Sequence, residues 1–249
     1  MATRIEADGP TRAAVLRLVV VLVLCLPASA CGGLLGGEDN GPPPDPLAAP
    51  IQEARSDATT AADDALEDAV SAVGGRVVAR ASEDDCYEGQ NNYKVHDGYD
   101  HRCTIRRAVV AGFDGDFRER IRLLDRRLFA AGWGCYRDPC PETLSGNVDA
   151  YWDLRKQEYG GADPPISSLP STSVYERGDQ YLDVAYVGAD GGGRAALGRF
   201  HRRMRGGIFT SYERARPFDV EATLERVSPF EYVVAFAIET DYFEDTDMG

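Results

Sequence analysis

The strongest constraint on this chain is a greasy stretch too short to cross a bilayer. Leu18-Val19-Val20-Val21-Leu22-Val23-Leu24-Cys25-Leu26 is a run of nine uncharged apolar residues, where a spanning helix needs about 20. Arg4, Arg12 and Arg17 precede it, and Pro27-Ala28-Ser29-Ala30 follows. That is the layout of an export signal, discarded from the mature protein. Two limits on the fold follow. Residues 1–30 add nothing to a core, and the remainder folds in a compartment where thiols oxidise.

The six cysteines divide accordingly. Cys25 leaves with the signal, and Cys31 stands at its end. Cys86, Cys103, Cys135 and Cys140 are an even set in an exported chain and are expected as disulfides. Four thiols allow three pairings, and sequence alone does not choose among them. Cys86–Cys103 and Cys135–Cys140 are favoured because each closes a local, turn-rich segment. The stretch Ala28-Ser29-Ala30-Cys31, with Gly32 and Gly33 behind it, resembles a bacterial lipobox. The resemblance implies that the Cys31 thiol receives a diacylglyceryl group and becomes the new N-terminus. The chain would then sit lipid-anchored on the extracytoplasmic face of the cell membrane. Two or more acyl chains, at about 0.8 kcal/mol per buried CH2, give stable anchoring. A secreted protein with a free or oxidised Cys31 is the alternative; an uncleaved anchor is disfavoured by the short apolar run.

From Gly32 to Pro50 the chain is Gly- and Pro-rich, so residues 31–50 are expected as a flexible tether. Residues 51–243 have the composition of a single globular domain, and 244–249 form an acidic tail. The net charge is −14 over 249 residues. Such a surface repels polyanions within a Debye length of about 8 Å, which disfavours nucleic acid as a partner.

Within the domain, residues 51–73 read as an Ala-rich helix stopped by Gly74-Gly75. Arg76–Arg80 reads as a short strand, Ser82–His101 as a polar stretch, and Cys103–Gly112 as a second strand. Phe117–Ala131 is an amphipathic helix with Phe117, Ile121, Leu124 and Leu128 on one face. Asp116 and Glu119 have capping-box spacing, and Gly132 stops the helix. A short helix is expected near Val148–Tyr159. Ser173–Arg177 and Tyr181–Val187 form a hairpin about Gly178-Asp179, and Phe209–Arg214 and Tyr232–Tyr242 are further strands. The order predicts an α+β fold: a two-layer sandwich whose antiparallel sheet carries two main helices on one face. Cys86, Gly89, Tyr93, Gly98, Tyr99, Cys103, Phe113-Asp114-Gly115-Asp116 and Gly132-Trp133 resemble the small uncharacterised lipoproteins of actinobacteria over residues 31–188. That resemblance implies surface anchoring and no particular activity.

Candidate chemistry is sparse. His96, Asp97, Asp100 and His101 offer two imidazoles and two carboxylates within six residues, a possible divalent-metal set. Their spacing fits no zinc motif, and Asp-Gly is turn chemistry, so a solvated turn is preferred and no cofactor is expected. Asp114-Gly115-Asp116 resembles a fragment of a calcium loop, but helix capping accounts for both carboxylates. Arg199, His201, Arg202, Arg203 and Arg205, with Arg194, form a basic cluster in an acidic chain. It could contact phosphate head groups, an anionic wall polymer or an acidic partner, but a short, solvated helix pairing with the protein's own carboxylates is preferred. No nucleophile elbow, phosphate loop, zinc-protease helix or dinucleotide fingerprint occurs. The expectation is a binding or interaction module of the cell envelope with an envelope protein or polymer as partner. A hydrolase built from scattered Asp and Glu is the competing class.

Overall fold

The apolar alternation of two long strands sets the architecture. In the computed structural model, which describes residues 43–90, 97–136, 143–188 and 210–245, β1 (Arg76–Glu88) and β2 (His101–Phe113) form an antiparallel hairpin. The chain continues through α1 (Ala49–Ala72) before them and α2 (Phe117–Ala130) after them. Then come β3 (Gly134–Cys135), α3 (Leu144–Glu158), β4 (Thr172–Arg177), β5 (Gln180–Gly188), β6 (Thr210–Glu213), α4 (Val220–Val227) and β7 (Tyr232–Asp245). The seven strands form one sheet in the order β3-β4-β5-β7-β2-β1-β6, every neighbouring pair antiparallel. The described residues belong to one unit, Gly37–Gly249. This is an α+β fold, with the two main helices on one face.

Both faces of β2 and β7 are covered, so these strands carry nearly continuous apolar runs. On the first face Val109, Ala111, Phe113, Val234, Phe236 and Ile238 meet Leu66 and Ala69 of α1, its cap residue Val73, and Phe117, Ile121, Leu124 and Leu128 of α2. The alanines of α1 let its 24 residues lie close to the sheet, and Gly74, at φ +64°, ends the helix in the left-handed conformation that glycine accepts. On the second face the small residues Ala79, Ala81, Ala108, Ala235 and Ala237 are capped by Phe218 and Val227, with Val220 and Leu224 beside them. Thus α4, which was not among the expected elements, closes part of the second face. Asp219 caps it, accepting from Ala222 N at 3.1 Å.

A buried polar junction fixes α3 against α2. Asp116 caps α2 by accepting from Glu119 N at 2.8 Å. Asp125, on the inner side of α2 and 4% exposed, accepts from Ser145 N at 2.8 Å and from the Tyr175 hydroxyl. That same hydroxyl accepts from Leu144 N at 3.0 Å, and Thr143 Oγ1 accepts from Gly146 N at 2.9 Å. The first three N–H groups of α3, which lack partners inside the helix, are therefore satisfied from α2, β4 and the cap residue. On the outer side Asp149 accepts from Arg118 and Arg122. Burial raises its proton affinity, but the two guanidiniums outweigh that and hold Asp149 below the usual carboxylate range.

Three sequence expectations change. The polar residues from Ser82 to Glu88 are strand, not loop: β1 pairs with β2 along its whole length and with β6 at Asp85–Tyr87. The acidic tail loses its first two residues to β7, since Glu244 and Asp245 lie opposite Arg102 and His101, with Arg102 Nη2 donating to Glu244 at 2.7 Å. The N-terminal helix begins at Ala49, inside the expected tether.

Candidate functional site

Strand register decides which side chains meet. Cys86 and Cys103 are opposite each other in the β1–β2 ladder and are joined as a disulfide, with Cα atoms 4.0 Å apart. Cys135 is also disulfide-bonded; Cys140, expected as its partner, lies outside the described residues. So do Cys31, His96 and the basic cluster Arg194, Arg199, His201, Arg202, Arg203 and Arg205. Of the remaining metal candidates, Asp97 closes the loop by accepting from Gln90 N at 2.7 Å. Asp100 donates its N–H to Asp245 O at 2.8 Å. His101 is 2% exposed within β2, so it lies in the strand rather than at a turn. Among the described residues no group of three or more His, Cys, Asp or Glu is placed to hold a metal ion. Asp114 and Asp116 of the calcium-like fragment are engaged with Glu231 N and Glu119 N.

The second face of the sheet changes character along its length. Beyond Ala81 and Ala108 the rows become Glu83 opposite Arg106 and Asp85 opposite Thr104, with Glu239 and Asp241 continuing them on β7. Arg106 pairs with Asp183 at 3.1 Å and Glu239 at 3.5 Å. Thr104 donates to Asp241 at 2.6 Å. Glu83 is 5% exposed, and its Oε1 has no hydrogen-bond partner among the described residues. Burial first, then the neighbouring Asp85, pushes its carboxyl up to about 7 against the opposing pull of Arg106. Burial and then Glu239 push Asp85 up to about 6.

The sign of the pH effect follows from which state keeps the proton. Native Glu83 holds it to about 7, whereas the unfolded residue releases it near the ordinary value of 4.5. Stability therefore falls as pH rises through that window and levels off above it. Glu83→Gln removes the titration, and the variant is expected to be more stable than the parent at pH 8 by on the order of 2 kcal/mol and equal to it near pH 4. Urea melts at both pH values check this; parallel pH profiles for the two proteins would refute it.

A different arrangement occupies the first face at the β1 edge. Arg214 N and O exchange hydrogen bonds with Asp84 O and N, and Arg216 does the same with Ser82. Side chains two apart on an extended strand share a side. The edge thus adds an arginine to each of two rows of the sheet: Arg216–Ser82–Arg107 and Arg214–Asp84–Ile105. From α1, Arg55, Thr59 and Asp63 fall at successive i, i+4 positions, which form one stripe. Asp63 accepts from Arg107 Nε and Nη2 at 2.9 and 2.7 Å. Arg55 Nε pairs with Asp84 at 3.0 Å, and Arg55 also donates to the Tyr242 hydroxyl, which in turn donates to Asp84 at 2.7 Å.

Between helix and edge lies a cavity of about 180 Å³ lined by Arg55, Thr59, Ser82, Arg107, Arg214 and Arg216. Glu83 and Asp84 also contribute to its wall. Arg214 and Arg216 are exposed, and their guanidiniums form no ion pair among the described residues. A larger hollow of about 350 Å³ between α1 and α2 has a mixed lining, including Asp68, Ser71, Leu123 and Arg127, with no concentration of one charge. Sequence reading missed the cationic pocket. Its signal was Arg214-Ala215-Arg216 before Pro217, alternating at strand period in an acidic chain. No family model, curated protein or solved structure matches the chain.

Proposed function

We propose that this chain is a membrane-anchored extracytoplasmic lipoprotein whose domain binds an envelope component rather than transforming one. The observation that carries the reading is Cys31 placed directly after an apolar run of nine and the small residues Ala28 and Ala30. The Cys86–Cys103 disulfide supports it, because such bonds persist in oxidising compartments. No helix among the described residues is long and apolar enough to cross a membrane; lipid at Cys31 is the proposed attachment. An envelope protein or polymer is the proposed partner, and the charge of −14 opposes nucleic acid.

The competing reading, a hydrolase built from scattered carboxylates, draws on Glu83 and Asp85, which retain protons toward neutrality as a general acid does. Glu83 reaches the wall of the smaller hollow, but Asp85 lines neither, and Asp84 beside it is held by Arg55 and Tyr242; without a second available carboxyl in the pocket, binding is favoured.

Cys31→Ala is expected to move the protein from the membrane to the soluble fraction and to abolish labelling by radioactive palmitate. Unchanged partitioning of the variant would refute the anchor.

A further inference from the structure

We infer that the pocket between α1 and the β1 edge binds the phosphoryl group of an anionic ligand, through Arg214 and Arg216 on the edge, Arg107 on the sheet and Arg55 on the helix. This deepens the binding role proposed above by naming a site and a ligand chemistry.

Four guanidiniums gather here in a chain that carries −14 overall. Like charges are brought together at a cost. Asp84 and Asp63 offset Arg55 and Arg107, and Glu83 adds a carboxyl to the wall, so the surplus that favours an anion is carried by Arg214 and Arg216. Two of the four are held in place. Arg107 spends Nε and Nη2 on Asp63, and Arg55 spends the same two groups on Asp84 and Tyr242. Each keeps its Nη1 amino group out of those pairs, as a fixed donor. The other two, Arg214 and Arg216, are exposed and without ion pairs among the described residues, while their backbones are locked to Asp84 and Ser82. The pocket thus combines a rigid wall with two adjustable arms.

The directions of approach select the ligand. A carboxylate is planar and is satisfied by one guanidinium fork in its own plane. Here donors come from the helix, the sheet and the edge strand, with the Ser82 and Thr59 hydroxyls between them. That surrounds a tetrahedral oxyanion, whose oxygens point in several directions. The volume agrees. About 180 Å³ is many times the roughly 10–15 Å³ that a single water needs, enough for one phosphoryl group with some of its hydration. Arginine suits this work because its charge is permanent and its donors are arranged for phosphate. A free phosphomonoester and a lipid head group present the same chemistry.

The test uses purified full-length protein and isothermal titration with inorganic phosphate and with glycerol phosphate. Co-sedimentation with phosphatidylcholine vesicles, with and without phosphatidic acid, completes the set. Saturable binding with a Kd of about 1 mM or tighter is expected. The Arg214→Gln/Arg216→Gln double variant should weaken it at least about ten-fold, equivalent to about 1.4 kcal/mol. Both side chains are exposed, so the variant should melt like the parent without phosphate. Arg126→Gln, which removes an exposed charge from α2, should leave binding unchanged. Binding of the small phosphates alone supports a soluble ligand; binding of phosphatidic acid vesicles supports a head group. Failure of every probe, or binding that the double variant retains in full or that Arg126→Gln weakens equally, would overturn the assignment. These outcomes do not depend on Cys31, so the anchor and the pocket stand or fall separately.

Discussion

Asp125→Ala is expected to cost about 3 kcal/mol, because Ser145 N and the Tyr175 hydroxyl lose their acceptor inside the protein and an unsatisfied buried donor costs about 1–3 kcal/mol. For a domain of this size that corresponds to a fall in Tm of about 6–12 °C. The site lies where α2, α3 and β4 meet, and the Asp125 and Tyr175 side chains are buried there, so the Tyr175 hydroxyl has little access to water as a substitute acceptor. Tyr175→Phe removes one donor to Asp125 and the acceptor for Leu144 N, and should cost less. Because the two residues share one network, the double variant should be less destabilised than the sum of the singles. Thermal melts of the four proteins check this. Additive losses, or an Asp125→Ala variant that melts with the parent, would show that the carboxylate does not fasten α3.

The second large effect concerns the covalent link across β1 and β2. Replacing Cys86 and Cys103 together by Ala should lower stability by about 3 kcal/mol, since closing a loop of about 15 residues restricts the unfolded chain by that amount. The actual separation is 17 residues. The two positions are buried and directly opposed in a ladder held by backbone hydrogen bonds along β1 and β2, so the native sheet is expected to survive the loss of the bond. The loss should therefore appear as a lower urea midpoint with a larger m value, as the freed unfolded chain exposes more surface. An unchanged midpoint would mean that β2's other neighbour, β7, alone sets the register of this hairpin end.

Elements with a clear period were legible in the sequence. α2 was expected to run from Phe117 to Ala131 and runs to Ala130. The β4–β5 hairpin turns at Gly178-Asp179, as the flanking strands implied, and β7 follows from its Val234, Phe236 and Ile238 alternation. The second half of β1 was not legible. Glu83-Asp84-Asp85 reads as solvated chain, and only the tertiary structure supplies Arg106, Arg55 and the backbone of residues 210–216 that make a strand of it. α4 escaped because eight residues offer too few turns for a period to show, although Asp219 was a usable cap. The pocket escaped for another reason: its residues come from α1, β1, β2 and the edge, and each arginine alone is an ordinary surface charge. The Arg199–Arg205 cluster, by contrast, is dense in the sequence itself, but it lies outside the described residues.

The strand order carries a consequence for how such a chain is made. β7, the final strand described, is the keystone of the sheet, with three strands on either side. Until Tyr232–Asp245 has left the ribosome, β5 and β2 face an empty slot, and the two flanking halves have no shared ladder. Sheets that depend on such distant pairing close slowly. A polypeptide exported unfolded, as proposed for this one, is served by that delay: until its last strand is made, the chain has no closed sheet to resist unfolding at the pore.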